Sequence, residues 1–177
     1  MFRKQFIILG VLSGILLAIL GTVTLYGTTI DKDYRQTSSD TIDQEIKIVW
    51  PYISDPKLIP VWNKSITKVE AIDAKKGLWR EFYSNDMSIS FELIQKDGEY
   101  TVQRRVVDEN APFQGTWTIS LEDITSEKTK ITIEEQSSIE NPFLRVIAHH
   151  VVGLDTFQKG MINSLKANIN GPALQSR

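Results

Sequence analysis

The sequence predicts an α+β protein: an antiparallel sheet followed by a long C-terminal helix, with one transmembrane helix ahead of both. Three observations predict it. Residues 6–26 form an uncharged, almost wholly apolar run. Between residues 66 and 136, apolar and polar side chains alternate with period two in several short runs, the mark of half-buried strands. From Asn141 onward the apolar residues recur at three-, four- and seven-residue intervals, which places them on one face of a helix.

The apolar run comes first in the chain. Its 21 residues, at about 1.5 Å each, span roughly 31 Å, close to the hydrocarbon thickness of a bilayer. A cleaved signal peptide has a shorter apolar region, on the order of 7–15 residues, and a small-residue cleavage site. Leu25-Tyr26-Gly27-Thr28-Thr29 is a poor one, so the run reads as a retained anchor. Arg3, Lys4 and the terminal amine precede it without an acid, while Asp31, Lys32, Asp33 and Arg35 follow. The Lys and Arg counts nearly balance, and the short, purely positive tail decides the direction. The expectation is a single-pass cell-membrane protein with its globular domain outside the cytoplasm.

With no cysteine, the chain has no disulfide, thiolate chemistry, Cys-based zinc site or lipoprotein-type acylation site. A net charge of −2 without a basic stripe argues against nucleic acid as a partner. No phosphate-binding glycine loop and no Gly-x-Ser-x-Gly turn occurs, so neither a cofactor nor a catalytic serine is expected. No metal is expected either. His149 and His150 are the only histidines, and being adjacent they point about 100° apart on a helix.

Residues 1–27 are therefore read as tail and anchor, 28–39 as a polar tether, 40–170 as one domain and 171–177 as a C-terminal tail. A first short strand is expected near Thr41–Ile46. Pro51, Pro56 and Pro60 break the following stretch into short helical pieces, with Pro51 and Pro56 suited to first turns. Weaker strands fit Ile66–Ile72 and Leu78–Ser84. Met87, Ile89, Phe91 and Leu93 then alternate with polar residues, and Lys96-Asp97-Gly98-Glu99 makes a hairpin turn into Tyr100–Val107. Trp117, Ile119 and Leu121 mark the next strand, and Ile131, Ile133 and Glu135 the last. Asn141 and Pro142 supply an N-cap and a first helical residue. The helix they open runs nearly 30 residues, toward Asn170-Gly171-Pro172, with Gly153 and Gly160 as points of bending or close packing.

Three local sequences carry a resemblance. Val49-Trp50-Pro51-Tyr52-Ile53-Ser54-Asp55-Pro56 with Pro60-Val61-Trp62-Asn63, Phe113-Gln114-Gly115-Thr116-Trp117-Thr118-Ile119-Ser120-Leu121, and Thr129-Lys130-Ile131-Thr132-Ile133-Glu134-Glu135 followed by Asn141-Pro142-Phe143-Leu144-Arg145 resemble segments of the START-like, helix-grip superfamily (SRPBCC, polyketide cyclase/dehydrase-like). They resemble its helical lead-in, its sixth strand, and its last strand with the start of its long helix. The resemblance covers about residues 40–170. It implies a curved antiparallel sheet of about seven strands wrapped around the C-terminal helix, with a cavity between them for a small hydrophobic or amphipathic ligand such as a lipid.

On that reading the cavity is lined by Trp62, Ile89, Phe91, Arg104, Trp117, Ile119, Ile133, Glu135, Ile147, His150, Val151 and Leu154. An apolar pocket and an apolar core use the same residue types, so each aliphatic member is equally at home in packing. Glu135 shares the parity of Ile131 and Ile133. It is either a ligand's polar anchor or acid/base group, or the strand-end partner of Arg104 or Arg105, or a residue whose phase a bulge changes. Arg104 either meets a ligand or forms a salt bridge. Three functions follow: a binding module, a cyclase- or dehydratase-like enzyme that would draw on Glu135, Arg104 and His150, or an interaction domain with a filled interior. No residue is assigned as catalytic.

Overall fold

The computed structural model describes residues 2–95 and 99–169. Helix α1 (Phe2–Gly27) precedes strand β1 (Asp33–Ile42), then helix α2 (Ile46–Ser54), a 3-10 turn (Pro56–Leu58) and the short helix α3 (Ile59–Trp62). Six strands follow: β2 (Ile66–Asp73), β3 (Leu78–Tyr83), β4 (Ser88–Gln95), β5 (Thr101–Val106), β6 (Gln114–Thr125) and β7 (Lys128–Ser138). The chain then forms α4 (Pro142–Val146), a π-helical turn (Ile147–Val152) and α5 (Thr156–Ile169). The Lys96-Asp97-Gly98 part of the expected hairpin lies outside the described residues.

The seven strands form one antiparallel sheet in the order β1-β7-β6-β5-β4-β3-β2. Consecutive strands pair from β2 to β7, so short polar turns suffice. Only β1 reaches across the chain, to the far side of β7. Register puts Ile119 opposite Ile133, Trp117 opposite Glu135, Arg104 opposite Trp117, Trp79 opposite Phe91 and Glu81 opposite Ile89. Because side chains alternate across a strand, this lines up one inner face of aromatics and β-branched residues into which Glu81, Arg104 and Glu135 are set. The helices cover that face. Ile42, Val49, Ile89, Ile131, Ile133, Leu165 and Ile169 are fully enclosed between the layers.

Three expectations are corrected. The first strand starts at Asp33, not near Thr41, so residues 33–39 are sheet and not tether. Its inward positions are Tyr34, Gln36 and Ser38, which carry no apolar alternation to read. Pro51 lies inside α2, and its missing N–H is absorbed in a helix of only nine residues.

The third correction concerns the C-terminal helix, which is interrupted. Gly153 adopts φ 84°, a conformation that residues with a side chain rarely take. Its N–H bonds the Ala148 carbonyl five residues back, closing the π turn. The extra residue in that turn shifts the phase, so α4 and α5 do not share a face. Only α5 packs into the sheet, through Gln158, Met161, Ile162, Leu165 and Ile169.

Within α1, Ile7–Gly27 is long and apolar enough to cross a membrane, with a mean hydropathy of 2.4 and its apolar stretch left uncovered by the rest of the chain. Its last turn, however, is built into the domain. Gly27 lies so close to Pro142 that a Cβ there would fall 2.0 Å from the Pro142 carbonyl oxygen. The Arg145 guanidinium donates to four carbonyls: Gly27 (3.3 Å), Ile30 (3.2 Å), Ile139 (2.7 Å) and Glu140 (2.8 Å). A cation at the unsatisfied carbonyls of a helix C-terminus is also favoured by the helix dipole. Lys32 pairs with Glu140 at 2.8 Å, and the Ile139 N–H donates to the Lys32 carbonyl. The segment between α1 and β1 is thus a fastened joint.

Candidate functional site

Two buried carboxylates organise the inner face. Glu81, only 1% exposed, stands between Trp79 and Tyr83 on the inward side of β3. One of its oxygens accepts from Trp79 Nε1 (3.1 Å) and Arg104 Nη1 (3.1 Å), and the other from the Tyr83 hydroxyl (3.0 Å). Arg104 comes from β5, is 7% exposed and lies over the Phe91 ring at 5.2 Å. Its Nη2 reaches the Met161 sulfur at 3.9 Å, and its Nε has no partner among the described residues. Burial, with the Glu81 charge beside it, pushes the Tyr83 phenol well above the usual tyrosine range.

Glu135 on β7 is 4% exposed and is held differently. It accepts from the Tyr34 hydroxyl (2.8 Å), the Ser137 hydroxyl (2.7 Å) and Gln158 Nε2 (3.1 Å). Among the described residues it has no ion-pair partner. Tyr34 is likewise raised, by its own burial and then by the Glu135 charge. Strand β1 and helix α5 therefore meet over this carboxylate, since Gln158 also donates to the Gln36 carbonyl.

A cavity lies on either side of this polar centre. The first, about 230 Å³, is enclosed by the α2–α3 segment, strands β2 to β6 and Met161 of α5. Ile53, Trp62, Val69, Trp79, Leu93, Val102 and Ile119 make its wall mostly apolar, Arg104 supplies the charge, and Asp55 and Lys57 stand among its lining residues. Trp62 is fixed there by donating Nε1 to the Tyr52 carbonyl at 3.0 Å. The second, about 350 Å³, is lined by Tyr34, Ser65, Tyr83, Met87, Ile89, Phe113, Trp117, Glu135, Leu154 and Phe157. Trp79, Phe91, Trp117 and Phe113 form a chain of ring contacts, with centroids 5.8–6.0 Å apart, that runs across the sheet from one cavity to the other.

The sequence-predicted residues divide between these places. Trp62, Arg104 and Ile119 line the first cavity, and Ile89, Trp117, Glu135 and Leu154 the second. Phe91 and Ile133 are buried core residues of the sheet. Ile147, His150 and Val151 line neither cavity, because the π turn and Gly153 rotate that segment off the sheet. His150 instead meets Tyr26 at the end of α1, with Nε2 3.2 Å from the hydroxyl. Arg104 and Glu135 do not pair with each other. The partner of Arg104 is Glu81, which the sequence reading passed over although its parity with Trp79 and Tyr83 places it inward. Gln158 was also missed, since a glutamine on a helix carries no sign of the carboxylate it will serve. Among the described residues no three His, Asp or Glu side chains cluster as metal ligands.

No protein-family model matches the sequence, and no curated protein does. Solved structures do match in three dimensions. A conserved protein from Geobacillus kaustophilus is similar at a TM-score of 0.65, with 14% identity over 77% of this chain and 95% of its own. The Zhui aromatase/cyclase from Streptomyces sp. R1128 gives 0.67, with 11% identity over 78% of this chain and 94% of its own. A START superfamily protein from Mycobacterium smegmatis gives 0.62, with 10% identity over 77% and 97%. At these identities the likeness concerns architecture: sheet, lead-in helices and C-terminal helix in one order. The chain has a helix-grip fold, the architecture it shares with these structures.

Proposed function

We propose that this protein is a membrane-anchored binding module that holds a small hydrophobic or amphipathic ligand in the first cavity, between sheet and helices. One observation carries the reading. Arg104 is almost fully buried and lines an apolar cavity, paired with Glu81 through Nη1 while its Nε has no partner among the described residues. A buried donor without a partner is costly, so a ligand oxygen admitted beside the guanidinium would be favoured. The ligand would present an apolar body to Trp62, Trp79, Val102 and Ile119 and a hydroxyl, carbonyl or carboxylate to Arg104. A cavity near 230 Å³ lies under the roughly 300–1,000 Å³ of drug-sized sites. A lipid would therefore enter by one chain, not whole.

Ile7–Gly27 would be the anchor, and the positive tail before it favours a domain outside the cytoplasm. Structural neighbours named as a START superfamily protein and an aromatase/cyclase support a ligand-holding interior. The enzymatic alternative gains less. It needs at least two interior polar groups around one substrate, and its first candidates, Glu135, Arg104 and His150, are split between two different cavities and the α1 joint.

Native mass spectrometry of the full chain, released from lipid nanodiscs, tests the proposal. The expected result is a bound small molecule that survives release, is lost in Arg104→Met, and is excluded by Val69→Trp, which fills the cavity wall. Bare protein in every preparation, or identical adducts in all three forms, would refute it.

A further inference from the structure

Apart from Arg145, His149 and His150, every residue from Pro142 to Val152 is apolar. A stretch of that composition normally buries one face, yet none of its residues is buried. Val151 and Val152 are 73% and 53% exposed, and Phe157, just beyond the break at Gly153, is 43% exposed. What matters is where the segment lies. Pro142 is packed on Gly27, Arg145 grips the Gly27 and Ile30 carbonyls, and His150 meets Tyr26. All of these contacts fall on the last turn of the run that is long enough to span a bilayer, or on the residues just after it.

From this geometry we infer that α4 and the π turn form a membrane-surface element: a short amphipathic segment lying in the bilayer interface, with Val151, Val152 and Phe157 among the lipid chains and the two histidines and Arg145 at headgroup level. The inference rests on reading α1 as a membrane span. If α1 spans, its last turn marks the boundary between hydrocarbon and headgroups, and the clasp holds Pro142–Val152 at that depth. Partly immersed apolar residues beside polar ones are the pattern of helices that lie in an interface. The occupant of this face is then lipid, and exposure of valines that would be unfavourable in water is accounted for. Leu154 and Phe157 also line the second cavity, so that cavity opens beside the same layer.

The absence of cysteine makes the test direct, because a single introduced thiol is the only one to label. The full chain is reconstituted in phosphatidylcholine/phosphatidylglycerol vesicles as Val151→Cys or Val152→Cys, each carrying an environment-sensitive fluorophore, with or without lipids bearing a nitroxide on the upper acyl chain. Leu16→Cys inside α1 is the buried reference. Ile124→Cys is the water reference, since β7 carries the sheet about 33 Å from its Ser138 end to the hairpin near that residue. The expected result is several-fold stronger quenching at Val151 and Val152 than at Ile124. Quenching at both positions no greater than at Ile124, with Leu16 quenched, overturns the inference and leaves the anchor standing. An unquenched Leu16 instead overturns the anchor reading itself. Cross-linking between copies through Val151→Cys, without lipid quenching, would place a second chain on this face and also overturn it.

Discussion

Glu81 and Glu135 present the same problem twice, a carboxylate sealed on the inner face of one sheet, and the chain solves it in two ways. Glu81 faces a guanidinium, so its charge is met by a charge, and two further donors complete its shell. Glu135 faces two hydroxyls and an amide, so it is solvated by neutral dipoles. The difference lies in what each holds together. The Glu81 cluster ties strands β3 and β5, which flank β4 in the meander, beside the first cavity. The Glu135 cluster joins elements far apart in sequence, with Tyr34 on β1, Gln158 on α5 and the carboxylate on β7 between them. A paired charge makes a wall, and a ring of neutral donors makes a seam.

The sharpest way to break this contrast is to leave one charge alone. Glu81→Leu would strand Arg104, and removing one partner of a buried ion pair costs about 3–5 kcal/mol. Replacing both, as Glu81→Leu with Arg104→Met, should recover much of that loss in chemical denaturation. A double variant as unstable as the sum of the singles would show that the pair acts through something other than its charges. Glu135→Leu should cost less, about 1–3 kcal/mol, because what it leaves behind are neutral donors without an acceptor. An equal or larger loss there would erase the distinction between wall and seam.

Alkaline pH probes the two phenols that serve these acids. Tyr34 and Tyr83 are both raised in the folded state, so folding retains their protons. Their contribution is fully present below the unfolded tyrosine value of about 10 and is lost as pH rises beyond it. Ultraviolet titration should show two tyrosines that ionise only with unfolding, and Tyr34→Phe or Tyr83→Phe should remove one each. The smallest effect belongs to the surface. Asp40 on β1 bonds Lys166 on α5 at 2.6 Å, and this hydrogen bond holds its carboxyl below the usual aspartate range. Its contribution is present above the unfolded carboxylate pKa and is lost as pH falls through the lower folded value. For a half-exposed pair, Asp40→Asn should cost only about 0.2–1 kcal/mol at neutral pH and nothing in strong acid.

What could be read from the sequence follows the physics of each element. An unbroken apolar run identified α1, period-two alternation identified β4, β6 and β7, the turn residues pointed to β5, and the Asn141-Pro142 cap marked the start of α4. Strand β1 was placed too late because its inward side chains are Tyr34, Gln36 and Ser38, held by polar pairing that hydropathy does not record. The apolar spacing of Phe143, Ile147, Val151 and Leu154 suggested one helical face with Met161 and Leu165. A single π turn changes that phase, and nothing in local composition reports a turn one residue wider than the rest. Glu81 was within reach through its parity with Trp79 and Tyr83. Its partnership with Arg104 depends on where β3 and β5 sit across β4, which is a tertiary fact.

The pairing of β1 with β7 sets an order of assembly. Tyr34 and Glu135 are separated by 101 positions, and the Arg145 clasp closes over 118 positions back to Gly27. As the chain is made, α1 and β1 emerge first, but β1 waits with an unpaired edge until nearly the whole domain has followed. Such long closures are slow relative to local hairpins. The meander from β2 to β6 can pair as it appears, and the joint at the end of α1 locks last. Chains cut short before residue 135 should therefore be sheets with one open edge and an unfastened α1, ready substrates for quality control.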